Sequence, residues 1–148
     1  MRIGRGPARI LIVSDAWTPQ VNGVVRTLTA VTAELRAMGH MVDVIGPDRF
    51  RTMPCPTYPE IGLAVLPGRR LAGLIEAFRP DALHIATEGP LGLAARAFAC
   101  RRGLHFTTAY HTRFPEYLAA RLGLMGRSGI TRAISSRFLK WFHAPSQG

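Results

Sequence analysis

The chain has 148 residues, 47% hydrophobic and 19% charged, with two cysteines; this excludes a disordered polymer and a disulfide scaffold, and is enough for one domain with its own core. No apolar run approaches the ~20 residues that cross a bilayer, and Asp15 interrupts the first apolar stretch too early for a signal peptide, which predicts a cytoplasmic protein. The net charge of +10 is almost wholly arginine, Lys140 being the one lysine; guanidinium groups suit nucleic acid, phosphorylated ligands or an anionic surface, whereas their scatter without interleaved aromatics fits equally a compositional habit with solvated helix faces, and no nucleic-acid partner is expected.

Taken in chain order, residues 1–8 form a basic extension and 9–148 the domain proper. The run 9–14 reads as a strand, and Val24, Leu28, Val31, Leu35 and Met38 mark one face of a helix closed by Gly39. A second strand is expected at 41–46, then at 47–60 a proline-rich loop, either irregular surface or part of a binding rim, and a strand at 63–66. Leu71, Leu74, Ile75 and Phe78 give a second helix stopped by Pro80, followed by a strand at 82–86. A third helix opens at Pro90 and ends near Gly103, a strand covers 105–110, and a last helix spans about 129–143 with Ile130, Ile134, Phe138 and Trp141 on one side. Near-continuous apolar strands alternating with amphipathic helices imply an α/β fold: a Rossmann-like, doubly wound parallel sheet covered on both faces.

Ligands of such sheets bind at the carboxyl ends of the strands, so three loops should share one rim: 14–23, 86–90 and 110–117. In the first, Asn22-Gly23 opens a helix whose leading N–H groups and dipole favour an anion, and a glycine lets a phosphate or sugar approach the backbone. Asp15 either braces that loop or serves a ligand, and Trp17 either covers the sheet edge or stacks on a sugar. Glu88, just before Gly89-Pro90, is by default an N-terminal cap; the functional alternative is an acceptor for ligand hydroxyls. His111 either caps the next helix or donates to a sugar hydroxyl or phosphate, and Arg113 either clamps an anion or pairs with Glu116. His40 and His84 read as structural. Arg96, Arg101 and Arg102 on one helix, with Arg132, Arg137 and Lys140 on the last, suggest a basic face toward a membrane surface. Cys55 and Cys100 read as reduced thiols, and no metal-ligand spacing occurs among the histidines. A GxGxxG turn, a phosphate-loop lysine and a GxSxG elbow are all missing, so neither dinucleotide binding nor a nucleophilic triad is supported.

Three segments in order resemble the N-terminal domain of family 4 glycosyltransferases of the GT-B fold. They are Arg9 to Asp15 with Pro19 to Leu28, His84 to Gly92, and Tyr110 to Tyr117. Within the family the chain is similar to bacterial mannosyltransferases and sulfoquinovosyl-diacylglycerol synthases. The resemblance implies retaining transfer of a sugar from a nucleotide-sugar donor to a lipid or small-molecule acceptor, without a cofactor or metal. By motif position it makes His111 the active-site histidine, Asn22 and Gly23 the loop near the donor phosphates or the acceptor, and Tyr110, Thr112 and Arg113 acceptor-side neighbours, with Glu88 beside them.

The family's donor-binding half, with its basic pair and two glutamates seven residues apart, is not found in these residues. The chain is therefore expected to be a fragment, a truncated frame or half of a split enzyme, with little or no transferase activity alone, since domain closure supplies the phosphate clamp and excludes water. Two other readings stay open: a stand-alone binding module for an anionic ligand or membrane surface, and a GT-B-like sugar-nucleotide epimerase.

Overall fold

Short β-branched runs separated by amphipathic helices give, in the computed structural model, the order β1 (Arg9–Val13), α1 (Gly23–Ala37), β2 (Met41–Ile45), a 3-10 turn at Pro47–Arg49, β3 (Thr52–Cys55), β4 (Tyr58–Ala64), α2 (Gly68–Phe78), β5 (Ala82–Ile85), α3 (Pro90–Arg102) and β6 (Phe106–Thr108). The structure describes residues 6–56, 58–109, 140, 141 and 144. Lys140 and Trp141 are helical; the rest of the expected last helix lies outside the described residues.

Four strands form a parallel sheet in the order β2-β1-β5-β6. Ile10 pairs with Val42 and Ala82, Val13 with Ile45 and Ile85, and Leu83 with Phe106. Successive side chains point to opposite faces, which divides the core in two. Ile10, Ile12, Val42, Val44, Ala82 and Ala86 pack with Leu28 of α1. On the other face Leu11, Val13, Ile45, Leu83, Ile85 and Phe106 pack with Leu71 and Ile75 of α2 and with Leu91, Ala95 and Phe98 of α3. Each fully buried leucine or isoleucine contributes about 1.5–3 kcal/mol relative to exposure. Helices on both faces make the sheet doubly wound, as the alternation of elements predicts, and the winding reverses between β1 and β5.

Two local readings are corrected. Residues 47–60 are not an irregular loop, and 63–66 is not a strand of the main sheet: β3 and β4 form an antiparallel hairpin, pairing Thr52 with Ala64 and Met53 with Leu63. The prolines obscured it, since proline lacks the N–H of a central strand; a two-stranded ribbon has only edges, and its register breaks between Pro54 and Cys55. The α1 face is also rotated. Val25, Leu28 and Thr32 are buried, whereas Val31 is 43% and Met38 70% exposed. Thr32 satisfies its hydroxyl on the Leu28 carbonyl, so a polar residue takes the core position that periodicity gave to valine.

The helix ends follow the sequence signals. Gly39 takes a φ of 90° beyond α1 and Gly103 a φ of 63° beyond α3. At the amino edge of the sheet, His40 Nδ1 accepts from Ala8 N, and the Arg9 guanidinium lies 4.8 Å from the Phe78 ring centroid, so both residues are structural. Cys55 is buried, Cys100 is exposed and no disulfide joins them.

Candidate functional site

The winding reverses between β1 and β5, the point at whose carboxyl edge sheets of this kind bind ligands, and two loops meet there. The first follows β1. Ser14 is buried and its backbone N–H extends the β1–β2 ladder to Ile45 O. Its hydroxyl bonds Ala16, which turns the chain off the strand. A tight turn then brings Gln20 N onto Trp17 O at 3.1 Å. Asn22 stands in extended conformation at the N-cap of α1 and its Oδ1 accepts from Val25 N at 3.0 Å. No acidic residue lies in the first turn of α1. Among the described residues, a Cβ added at Gly23 meets nothing within 4 Å, and its φ is outside the left-handed region. Within those residues, neither backbone conformation nor packing demands glycine at position 23.

The second loop, Ala86 to Gly89, is held differently. The buried Asp15 carboxylate reaches across from β1 to the start of α3. Its Oδ1 accepts from Leu91 N at 2.8 Å, and its Oδ2 from Gly92 N at 3.3 Å and from the Thr87 hydroxyl at 2.7 Å. The same hydroxyl oxygen accepts from Asp15 N at 2.6 Å. The fit leaves no room for side chains: a Cβ at Gly89 would lie 2.4 Å from Asp15 Cγ, and one at Gly92 would lie 1.8 Å from the Thr87 carbonyl oxygen. Burial pushes the Asp15 carboxyl above its ordinary value, and hydrogen bonds from Leu91, Thr87, Gly92 and Gly89 oppose that rise without reversing it.

Asp15 thus braces the loops, and the capping role assigned by default to Glu88 is overturned, because the first-turn amides of α3 donate to Asp15. Glu88 is itself buried at this edge. Trp17 covers the end of β2: a Cβ at Gly46 would lie 2.5 Å from Trp17 Cβ. His84 pairs with Thr107 across β5 and β6, Nδ1 to Oγ1 at 2.8 Å, as befits a structural histidine. The basic face expected on α3 is partly engaged within the fold, since the Arg96 guanidinium lies 3.8 Å from the Trp141 ring centroid and Arg102 pairs with Glu76. β6 ends beside β5, with Ala109 N on Ile85 O, whereas Tyr110, His111, Thr112 and Arg113 lie outside the described residues. Among the described residues, Asn22, Gly23 and Glu88 occupy the loops of this edge, and no group of three or more His, Cys, Asp or Glu residues is placed to hold a metal.

Thr87 and Gln20 carry this geometry, and neither stood out in the sequence. One signal pointed to the first: Gly92 sits inside a helix, where glycine is costly, so something must come close to it. That neighbour is the Thr87 carbonyl.

The sequence model of Glycosyltransferase Family 4 matches residues 21–148. The chain is 29% identical over 129 residues to a GDP-mannose-dependent alpha-mannosyltransferase of Mycobacterium tuberculosis, an alignment covering 76% of this chain and 34% of that protein. It is 30% identical to the protein of the same name from Mycolicibacterium smegmatis, over 70% of this chain and 32% of the relative. An alpha-monoglucosyldiacylglycerol synthase of Acholeplasma laidlawii is 29% identical over 74% of this chain and 31% of its own length. The chain thus spans about a third of the length of the curated relatives it matches. No solved structure matches it at a significant level.

Proposed function

The chain belongs to glycosyltransferase family 4, and from that premise we propose that it is the acceptor-side domain of an enzyme that moves a hexose, with retention of configuration, from a nucleotide sugar to a lipid or small-molecule acceptor. The observation that carries the reading is the pairing of two loops at the switch of winding, one leading to a helix whose first turn has no acid and whose Gly23 is uncrowded among the described residues. In this reading the amides at Asn22-Gly23 meet the donor phosphates or the acceptor, where helix polarity favours negative charge. Glu88, relieved of capping, accepts hydrogen bonds from ligand hydroxyls. His111 stands near the transferred sugar, with Tyr110, Thr112 and Arg113 beside the acceptor. The names of the relatives support a hexosyl donor and, for the synthase, a diacylglycerol acceptor.

Transfer needs a second domain facing this edge, to clamp the donor phosphates and exclude water, so the 148 residues alone should turn over little. No described helix is long and apolar enough to cross a membrane. A peripheral attachment fits a lipid acceptor and is supported by the tip after β4, where Val65 and Leu66 are exposed beside the exposed Arg69. The test is hexose transfer from GDP-mannose and from UDP-glucose to diacylglycerol vesicles, by the chain with and without a donor-binding domain. Transfer only with the second domain, an α-linked product and its loss in His111→Ala are expected. Transfer unaffected by His111→Ala, or a product of inverted configuration, would sink the reading.

A further inference from the structure

The N-cap of α1 does not stand alone. Gln20 Nε2 donates to the Asp15 carbonyl at 3.1 Å. Gln20 Oε1 accepts from Asn22 Nδ2 at 3.3 Å. Asn22 Oδ1 in turn accepts from Val25 N, while the Asp15 carboxylate is fastened to Leu91, Gly92 and Thr87. Each partner fixes the next, because a carbonyl only accepts and a backbone N–H only donates. The Asp15 carbonyl obliges Gln20 to present its NH2 group there, so Gln20 turns its oxygen to Asn22. That oxygen takes the NH2 of Asn22, which leaves Asn22 Oδ1 facing the Val25 amide, the orientation that caps α1. One hydrogen-bonded path runs from the start of α3 to the start of α1, and Gln20 is its hinge pin.

We infer that Gln20 is a positioning residue, which sets the Asn22 amide and holds the first turn of α1 in fixed relation to the β5–α3 loop; its consequence for ligands rests on the proposed role of the Asn22-Gly23 loop. Gln20 is half-buried and its side chain bonds the Asp15 carbonyl and Asn22, so it acts on the helix start through Asn22. A side chain that merely filled space would tolerate Glu, which has the shape of Gln. The relay does not, because an ionised carboxylate has no proton to give the Asp15 carbonyl, and oxygen facing oxygen turns the side chain away from that carbonyl and from Asn22.

The experiment compares the wild-type chain with Gln20→Glu and Gln20→Leu at neutral pH, by amide exchange and by the side-chain NH2 resonances of Asn22. Both variants should shift those resonances and speed exchange of the Val25 N–H roughly fivefold, about the loss of one capping hydrogen bond. In a GDP-mannose titration followed at the Gly23 amide, both should raise Kd by a similar factor. Wild-type exchange and Asn22 resonances in Gln20→Glu would overturn the relay. Altered exchange with an unchanged GDP-mannose Kd would overturn the positioning role. If GDP-mannose leaves the wild-type Gly23 amide unmoved, the donor-facing reading of the loop fails and the positioning role toward the donor with it, while the exchange measurements report the relay separately.

Discussion

The helices α1 and α3 both start at the carboxyl edge of the parallel sheet, and they are closed in opposite ways. At α3 the chain supplies its own anion: the Asp15 carboxylate takes the Leu91 and Gly92 amides, and glycines at 89 and 92 let it and the Thr87 carbonyl come close. At α1 the cap is a neutral amide, the first turn has no acid, and among the described residues nothing crowds Gly23. The helix polarity is the same in both. Among the described residues, what differs is whether an internal carboxylate already uses it, so a motif of strand, loop and helix does not by itself mark an anion site.

The same added methyl group breaks this comparison at one end and sharpens it at the other. Gly92→Ala should cost about 3 kcal/mol or more, because the methyl meets backbone and not a flexible side chain; thermal unfolding measures it, and a loss under half that size would mean the α3 seal yields. Asp15→Asn comes next, at about 1–3 kcal/mol, since an amide nitrogen would face donors that now point at a carboxylate oxygen.

The pH dependence of that second loss has a definite sign. A carboxyl raised in the folded state binds its proton more tightly there than in the unfolded chain, so the wild type loses stability as pH climbs from the ordinary carboxylate range to the raised value. Asparagine does not titrate. The gap between wild type and Asp15→Asn should therefore be widest in acid and narrow upward; denaturant titrations at a series of pH values showing it widen instead would contradict the burial argument.

Asn22→Ala removes a single cap and should cost about 1 kcal/mol, visible as a lower unfolding midpoint. Gly23→Ala is the smallest in stability, within about 0.5 kcal/mol of wild type, yet it should weaken GDP-mannose binding measurably by calorimetry. Unchanged affinity would show that the donor does not approach the backbone there.

Much of the architecture was legible. The sheet strands showed as β-branched runs, and Gly39 and Gly103 marked helix ends that take positive φ. The hairpin was hidden because Pro54 and Pro59 read as loop residues, and a ribbon made only of edges admits them. The α1 face was misread at Val31 and Met38, which are exposed, because periodicity counts apolar residues and cannot foresee Thr32 folding its hydroxyl onto its own helix.

The candidate site divides along a similar line. Asn22 at a helix start was readable because capping joins residues three apart in the chain. The bond between Asp15 and Leu91 joins residues 76 apart, and no local pattern encodes that. Sequence by itself determined the first three helices, the strands of the parallel sheet and the family, all properties of short windows and ordered motifs. Only the tertiary structure decided which helix start is sealed and which is open, because parallel pairing of β1 with β5 brings Asp15 to α3, and a carboxylate delivered there has already used the field that a ligand would need.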